Sequence, residues 1–225
     1  MDEKERLKSV YRSYATDGDV SRRFSKDNRG NQIIVKERMD SLGVLLNKRG
    51  LLPLGDRRIL EVGCGAASTL ARLVPFGARP ENLFGIDLMV ERIAIGKRWY
   101  PNFRLFCMNA SQVGFASGSF DIVAAFAVFS SIFDQTLAVA VGAEILRVLK
   151  PHGIVLWYDI RYPSLWNRNV RPISKRDIQT YFPGTRLDLD SLTVLPPVAR
   201  LLPAAYPLLK VLPVFRSHWF GIIEK

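Results

Sequence analysis

Five short apolar runs, spaced so that a helix fits between most of them, limit this chain to a small set of folds. They are RRILEV (57–62), LFGID (83–87), FRLFC (103–107), FDIVAAF (120–126) and GIVLWYD (153–159). Each is apolar almost throughout, as a strand covered on both faces must be, where a half-exposed strand would alternate. Helical patterns fall around 67–76, 89–99 and 135–149. Strands alternating with helices build a parallel, doubly wound α/β sheet, because a parallel pair needs a crossover between its strands. Beyond residue 160 the alternation loosens. A helix is expected over Ser174–Tyr181, with Ser174 as its cap and Asp177 at its third position. A strand follows over Arg186–Val194, then an apolar stretch at 195–215, and SHWFGIIEK as a closing strand. Residues 1–56 read as a helical lid or cap, and 57–225 as the main domain. The second N-terminal helix, Gln32–Lys48, carries Ile33, Ile34, Met39, Leu42, Leu45 and Leu46 near a 3.6-residue period, after the polar loop DGDVSRRFSKDNRGN.

Bulk properties remove several classes. With 48% hydrophobic and 24% charged residues the chain is not of disordered composition. Its two cysteines, Cys64 and Cys107, are too few for a disulfide framework and lie in no zinc-ligand spacing, so no metal is expected. The opening MDEKERLKSVYR is charged from its second residue and has no apolar signal core, which points to the cytoplasm. Prolines 196, 197, 203, 207 and 213, with Arg200 and Lys210, make 195–215 a poor spanning helix. The net charge of +11 favours anionic partners.

The chemistry gathers at Glu61-Val62-Gly63-Cys64-Gly65-Ala66-Ala67-Ser68, between an apolar strand and a helical pattern. Glycines at 63 and 65 let the backbone turn sharply and approach a ligand with no Cβ in the way. A dinucleotide fingerprint would want a third glycine where Ser68 stands. Asp87 ends the second strand, 87 − 63 = 24 residues past the first glycine. A carboxylate there can accept from both hydroxyls of a ribose. Together the two features point to a nucleoside ligand.

From Ile59 to Pro151 the sequence resembles the class I S-adenosylmethionine-dependent methyltransferases. ILEVGCGAAS is similar to that family's glycine-rich loop and GID to its ribose-binding strand end; Asn109-Ala110 stands where the family has Asp-Ala. SFDIVAAFAVFSSIFD and EILRVLKPHGIVLWYD resemble the fourth and fifth strand regions. The resemblance implies a Rossmann-like seven-stranded sheet whose last strand runs antiparallel between the fifth and sixth. It implies S-adenosyl-L-methionine as cofactor and S-adenosyl-L-homocysteine as product. Gly63, Cys64 and Gly65 would approach the methionine part, Glu61 its amino group, Asp87 the ribose, and Leu88 the adenine. Asn109 and Ala110 would meet the adenine edge, and Phe126 would complete the cofactor site. Asn109 departs from the family, but its carbonyl can still accept from the adenine amino group.

In such a sheet ligands bind outside the carboxyl ends of the strands. The acceptor is therefore expected near Ala127, Phe129 and Ser130 after the fourth strand, and near Tyr158, Asp159, Arg161 and Tyr162 after the fifth. An antiparallel last strand begins at that same end, which brings 195–215 and His218 close. His218 reads as a general base or as a strand histidine with no role, and Asp159 is the rival base. His152 belongs to the opposite end. Arg161, Arg168, Arg171, Lys175 and Arg176 form a basic stretch that either faces solvent or recognises an anionic acceptor. Tyr11, Tyr14, Phe24, Asn28 and Asn31 would line the acceptor from an N-terminal lid. Leu201, Ala205, Leu208 and Leu212 fall on one helical face, read as pocket wall or packing in preference to dimer or membrane contact.

The reading that results is methyl transfer to a small-molecule acceptor, by O-methylation of a polar or anionic metabolite of sugar or natural-product type. A lipid or membrane-associated acceptor is the alternative. A nicotinamide-dependent oxidoreductase is disfavoured by Ser68 and by the lack of a Tyr-x-x-x-Lys pair. A non-catalytic binding module stays open, since Ala127, Ser130 and Ser131 replace polar residues often found there in relatives. No nucleic-acid partner is expected, because the chain has no Asn/Asp-Pro-Pro-Tyr signature and no separate basic domain. Monomer and homodimer stay open.

Overall fold

A computed structural model describes residues 2–18, 25, 27–164 and 166–225. Phe24, expected in the lid, lies outside the described residues. Two N-terminal helices, α1 (Glu3–Thr16) and α2 (Arg29–Lys48), precede β1 (Ile59–Val62), β2 (Leu83–Asp87), α3 (Val90–Trp99), β3 (Arg104–Cys107) and β4 (Phe120–Phe126). Then come α4 (Gln135–Val148), β5 (Leu149–Ile160), α5 (Lys175–Tyr181), β6 (Arg186–Val194), α6 (Pro196–Leu201), α7 (Tyr206–Leu209) and β7 (Arg216–Glu224). The seven strands form one sheet in the order β3-β2-β1-β4-β5-β7-β6. β1 to β5 pair in parallel, and β7 is antiparallel to both β5 and β6. This is the doubly wound sheet that the sequence pattern predicts, with the reversed last strand that the family resemblance implies.

Alternate residues of each strand feed two cores. Leu60, Val62, Val123, Ala125 and Trp157 pack on one face with α4 and α5. Ile59, Ile122, Ala124 and Leu156 pack on the other with Leu42 and Leu46 of α2. The two N-terminal helices therefore have different jobs. Only α1 overhangs the carboxyl ends of the strands; α2 covers a sheet face and is capped by Asn28, whose side chain accepts from Asn31 N. α4 is capped by Asp134, which accepts from the N–H groups of Thr136 and Leu137. The capping box at Ser174 and Asp177 forms as expected.

Where α4 meets α5, a Cβ on Gly142 would stand 2.1 Å from the carbonyl oxygen of Tyr181. Gly142→Ala must push the two helices apart, at a cost of about 1–3 kcal/mol. The expected result is a lowered melting temperature; an unchanged one would mean that the contact is not needed.

Two expectations are corrected. The α-helix expected at 67–76 is a 3-10 helix over Leu70–Phe76, because Pro75 supplies no N–H and Ala67 sits at φ 61°. Segment 195–215 does not bury the face carrying Leu201, Leu208 and Leu212, which are 79%, 77% and 51% exposed. Its prolines divide it into α6, α7 and short 3-10 turns, so no single helical face runs through it. Ala199 and Tyr206 are its buried anchors, against Ile33 and Ile34 of α2. Among the described residues, no helix is long and apolar enough to cross a membrane.

Candidate active site

The turn after β1 is organised by a carboxylate from β2. Gly63 and Gly65 adopt φ of +67° and +54°, which a residue with a Cβ resists. Asp87 Oδ2 accepts from Gly65 N at 2.8 Å and Oδ1 accepts from Met89 N at 2.9 Å. The side chain thus ties the glycine loop to the start of α3. Each oxygen keeps a lone pair, and the residue borders a narrow cleft. Leu88, Met108 and Ala110 give this cleft an apolar slot; Gly63 and Asn109 also line it, and Leu7 and Tyr11 of α1 roof it. Asn109 is held by Ser111, whose N–H it accepts at 3.1 Å. A carboxylate beside an apolar slot and a glycine turn fits a ribose, a purine and a chain running past the loop.

Other expected cofactor residues lie behind this cleft. Gly65 positions Asp87 and does not line the cleft. Cys64 is buried, its thiol pushed far up by burial and by the nearby carboxylates of Glu61 and Asp87. Glu61 and Phe126 point to the α2 face. Phe126 packs edge-on to Tyr158 beneath the Arg38 guanidinium. Glu61 is 4% exposed and its Oε2 has no hydrogen-bond partner among the described residues. Burial pushes its pKa up to about 8, with the positive charge of Arg38 pulling the other way.

A second cavity of about 820 Å³ adjoins the first. Tyr11, Tyr14 and Ser130 line it as expected, with His218 at the start of β7. Tyr14 donates to Asn167 Oδ1 at 2.9 Å and accepts from Asn169 Nδ2 at 3.2 Å, linking α1 to the loop after β5. The Tyr11 hydroxyl lies 3.0 Å from Ser131 Oγ. Leu7, Tyr11, Arg92, Ala127 and Ser131 wall both cavities. His218 stacks on Tyr158 with centroids 4.5 Å apart, and its Nδ1 is 2.9 Å from Ser217 Oγ. Burial, then the Arg38 charge, push its pKa down to about 3, so the ring is neutral at physiological pH.

Asp159 does not reach the cavity. It is fully buried, accepts from Ser130 N at 3.1 Å and Ile160 N at 2.9 Å, and burial raises its pKa to about 6. Tyr158 is buried too and donates to Thr193 Oγ1. Arg161 stacks against Tyr162 and Trp219. Arg171 donates to Ile132 O and Lys175 to Leu189 O, so neither lines the cavity. Asn28 and Asn31 sit at the start of α2; Asn31 Oδ1 accepts from Arg200 Nε. Among the described residues, the cationic ones that line the cavity are Arg92 and Arg200, which the sequence reading passed over, and none that lines it is acidic. Arg92 had a usable signal, standing one turn into the helix that follows Asp87.

In its sheet topology and in the placing of this cleft the chain resembles the class I S-adenosylmethionine-dependent methyltransferases. Residues 60–157 match the family described as the methyltransferase domain. A 115-residue stretch is 31% identical to the tRNA N(3)-methylcytidine methyltransferase Mettl2 of Drosophila melanogaster, covering 47% of this chain and 35% of that protein. Over 147 residues it is 29% identical to the demethylmenaquinone methyltransferase of Beutenbergia cavernae, covering 64% of this chain and 56% of that one. The chain thus spans from about a third to just over half of these relatives. In fold it resembles the N-methyltransferase NodS of Bradyrhizobium japonicum, solved with S-adenosyl-L-homocysteine, at TM-score 0.67, 15% identity and 97% coverage of both chains.

Proposed function

We propose that this chain methylates a hydroxyl of a polar or anionic small molecule, with S-adenosylmethionine as the methyl donor. One observation carries the reading: a cleft shaped for an adenosine meets a larger cavity at a wall shared by Tyr11, Ala127 and Ser131. A donor in one and an acceptor in the other would meet at that wall, and proximity and alignment supply much of the rate. The walling of the larger cavity by α1, the loop after β5 and α6 suits a compact acceptor better than a nucleic-acid chain. Arg92 and Arg200 in its lining suit an anionic one. The demethylmenaquinone methyltransferase, 29% identical over 147 residues, has by its name a small molecule as its acceptor.

S-adenosylmethionine, when bound, supplies an electrophilic methyl on its sulfonium. The chain's own part is to align and to take a proton. His218 Nδ1 faces Ser217, which leaves Nε2 to accept from the acceptor hydroxyl. A nucleophilic oxygen becomes strongly acidic as it gains a methyl, so a weakly basic imidazole suffices to take its proton. His218→Ala is expected to lower kcat by about 10- to 100-fold, at the low end of general-base effects, with cofactor affinity unchanged. With a pKa near 3, His218 adds no inflection to kcat between pH 5 and 8; an inflection there that the variant loses would overturn the depressed pKa and leave the base role standing, whereas a variant with the parent's kcat would contradict the role. Turnover is tested with radiolabelled S-adenosylmethionine against sugars, carboxylated phenols and, as a contrast, transfer RNA. Methylation of transfer RNA alone would overturn the small-molecule reading.

A further inference from the structure

Below segment 195–215 the chain is firmly held. Ala199 and Tyr206 are buried against Ile33 and Ile34, and the Tyr206 hydroxyl donates to Glu37 and accepts from Val194 N. Val198, Leu209 and Phe215 pack inward beside those anchors, and the other apolar side chains of α6, α7 and the turns face out. Leu201, Leu202, Leu208, Val211, Leu212 and Val214 are between 51% and 79% exposed. These six, of the 14 large exposed hydrophobics among the described residues, fall within 14 consecutive positions. A clustered, exposed apolar surface of this kind marks a contact site, whereas scattered ones need no explanation.

Charge selects among occupants. From Ser191 to Ile223 the chain contains no Asp or Glu, while Arg200, Lys210 and Arg216 lie within or beside the apolar patch. A second copy docking through this patch about a two-fold axis would set these cations against themselves. A negatively charged lipid surface attracts all three, and its acyl boundary takes the leucines and valines. Prolines 203, 207 and 213 keep the segment in short turns that can enter a headgroup layer without spanning it. The patch is also continuous with the acceptor cavity: Leu201 and Arg200 line that cavity, and exposed Trp166 belongs to its lining as well. Tryptophan is enriched at membrane interfaces, where its ring sits at headgroup depth.

We propose that 195–215 docks on an anionic lipid bilayer, with the acceptor cavity opening toward it. The orientation rests on the acceptor reading above; the docking itself does not. The purified full chain would be sedimented with vesicles of phosphatidylcholine alone and of phosphatidylcholine with phosphatidylglycerol. Binding is expected to the anionic vesicles and to weaken as salt is added. The Leu208→Glu/Leu212→Glu variant should lose it, and Lys210→Glu should weaken it by about fivefold or more. Both changes are on exposed side chains, so melting temperature and S-adenosylmethionine affinity should be unchanged. A chain that ignores anionic vesicles, or a double variant that binds them as well as the parent, would overturn the proposal. So would a dimer in sedimentation velocity that the double variant dissolves, since the patch would then be a contact between copies. Loss of cofactor affinity in the parent would sink the methyltransferase reading and leave the vesicle result standing.

Discussion

Asp87→Ala is expected to abolish S-adenosylmethionine binding in the range where the parent binds, and to do so without unfolding the chain. The carboxylate already accepts from Gly65 N and Met89 N, and its remaining lone pairs border the cleft. A ribose presents two hydroxyl donors to it. Hydrogen bonds to a charged acceptor are worth about 1.5–3 kcal/mol each, so losing two costs about 3–6 kcal/mol, or roughly 10²- to 10⁴-fold in affinity. The glycine loop also loses its tie to α3, which adds to the binding loss because Gly63 and Gly65 are held at positive φ. Stability should fall only modestly, about 1 kcal/mol, because the released N–H groups border the cleft, where water can reach them. Asp87→Asn keeps one acceptor and should lose less. Calorimetric titration with S-adenosylmethionine and S-adenosylhomocysteine, beside a melting curve, reads both quantities. An alanine variant binding within threefold of the parent would show that the nucleoside does not sit at Asp87.

Much of this site could be read in advance because the information was local. LFGID and FDIVAAF form strands at the boundaries their apolar runs suggest, and Asp87 announces itself as an acid at a strand end. The capping residues at Ser174 and Asp177 are likewise a matter of neighbours in sequence. What failed was non-local. Glu61, Phe126 and Tyr158 all take the α2 face, where they pack beneath that helix, and of the strand residues on that side His218, at the start of β7, reaches the cavity. Pairing of Glu61 with Ala124 and of Phe126 with Tyr158 puts them on one side, with Ile59 and Leu156. The period of two along ILEV and FDIVAAF held that answer, but motif resemblance names positions, not faces. Arg92, Arg200 and Asn167 come together only because α3, α6 and the loop after β5 converge on one cavity. In segment 195–215 Leu201 lines the cavity and Ala199 and Tyr206 pack on α2, but the single face through Leu208 and Leu212 does not form, because prolines erase the helical period from which it was read.

Glu61→Gln is expected to stabilise the chain increasingly as pH rises, through a carboxyl group that burial keeps protonated. The ordinary value of 4.5 is raised to about 8 in the fold, by burial first, with the Arg38 charge opposing it. Below pH 4.5 folded and unfolded chains both hold the proton, and the group makes no difference to their balance. Between 4.5 and about 8 the unfolded chain releases the proton while the folded one keeps it, so rising pH favours unfolding. Above about 8 the loss is complete. At its upper bound the gap is worth about 5 kcal/mol, and water admitted on ionisation would bring it down to a few. Glutamine has the shape of the neutral acid and cannot ionise, so it escapes the penalty. Asp159, raised to about 6, acts in the same direction, and His218, lowered to about 3, costs stability as pH falls below its ordinary range near 6.5. Both are shared by parent and variant and cancel in the difference. Denaturant unfolding from pH 5 to pH 8.5 should show two curves that start together and separate with pH, the variant above. Parallel curves would mean that Glu61 is ionised in the fold, most directly through Arg38. The glycine loop would then rest on a buried ion pair in place of a neutral acid.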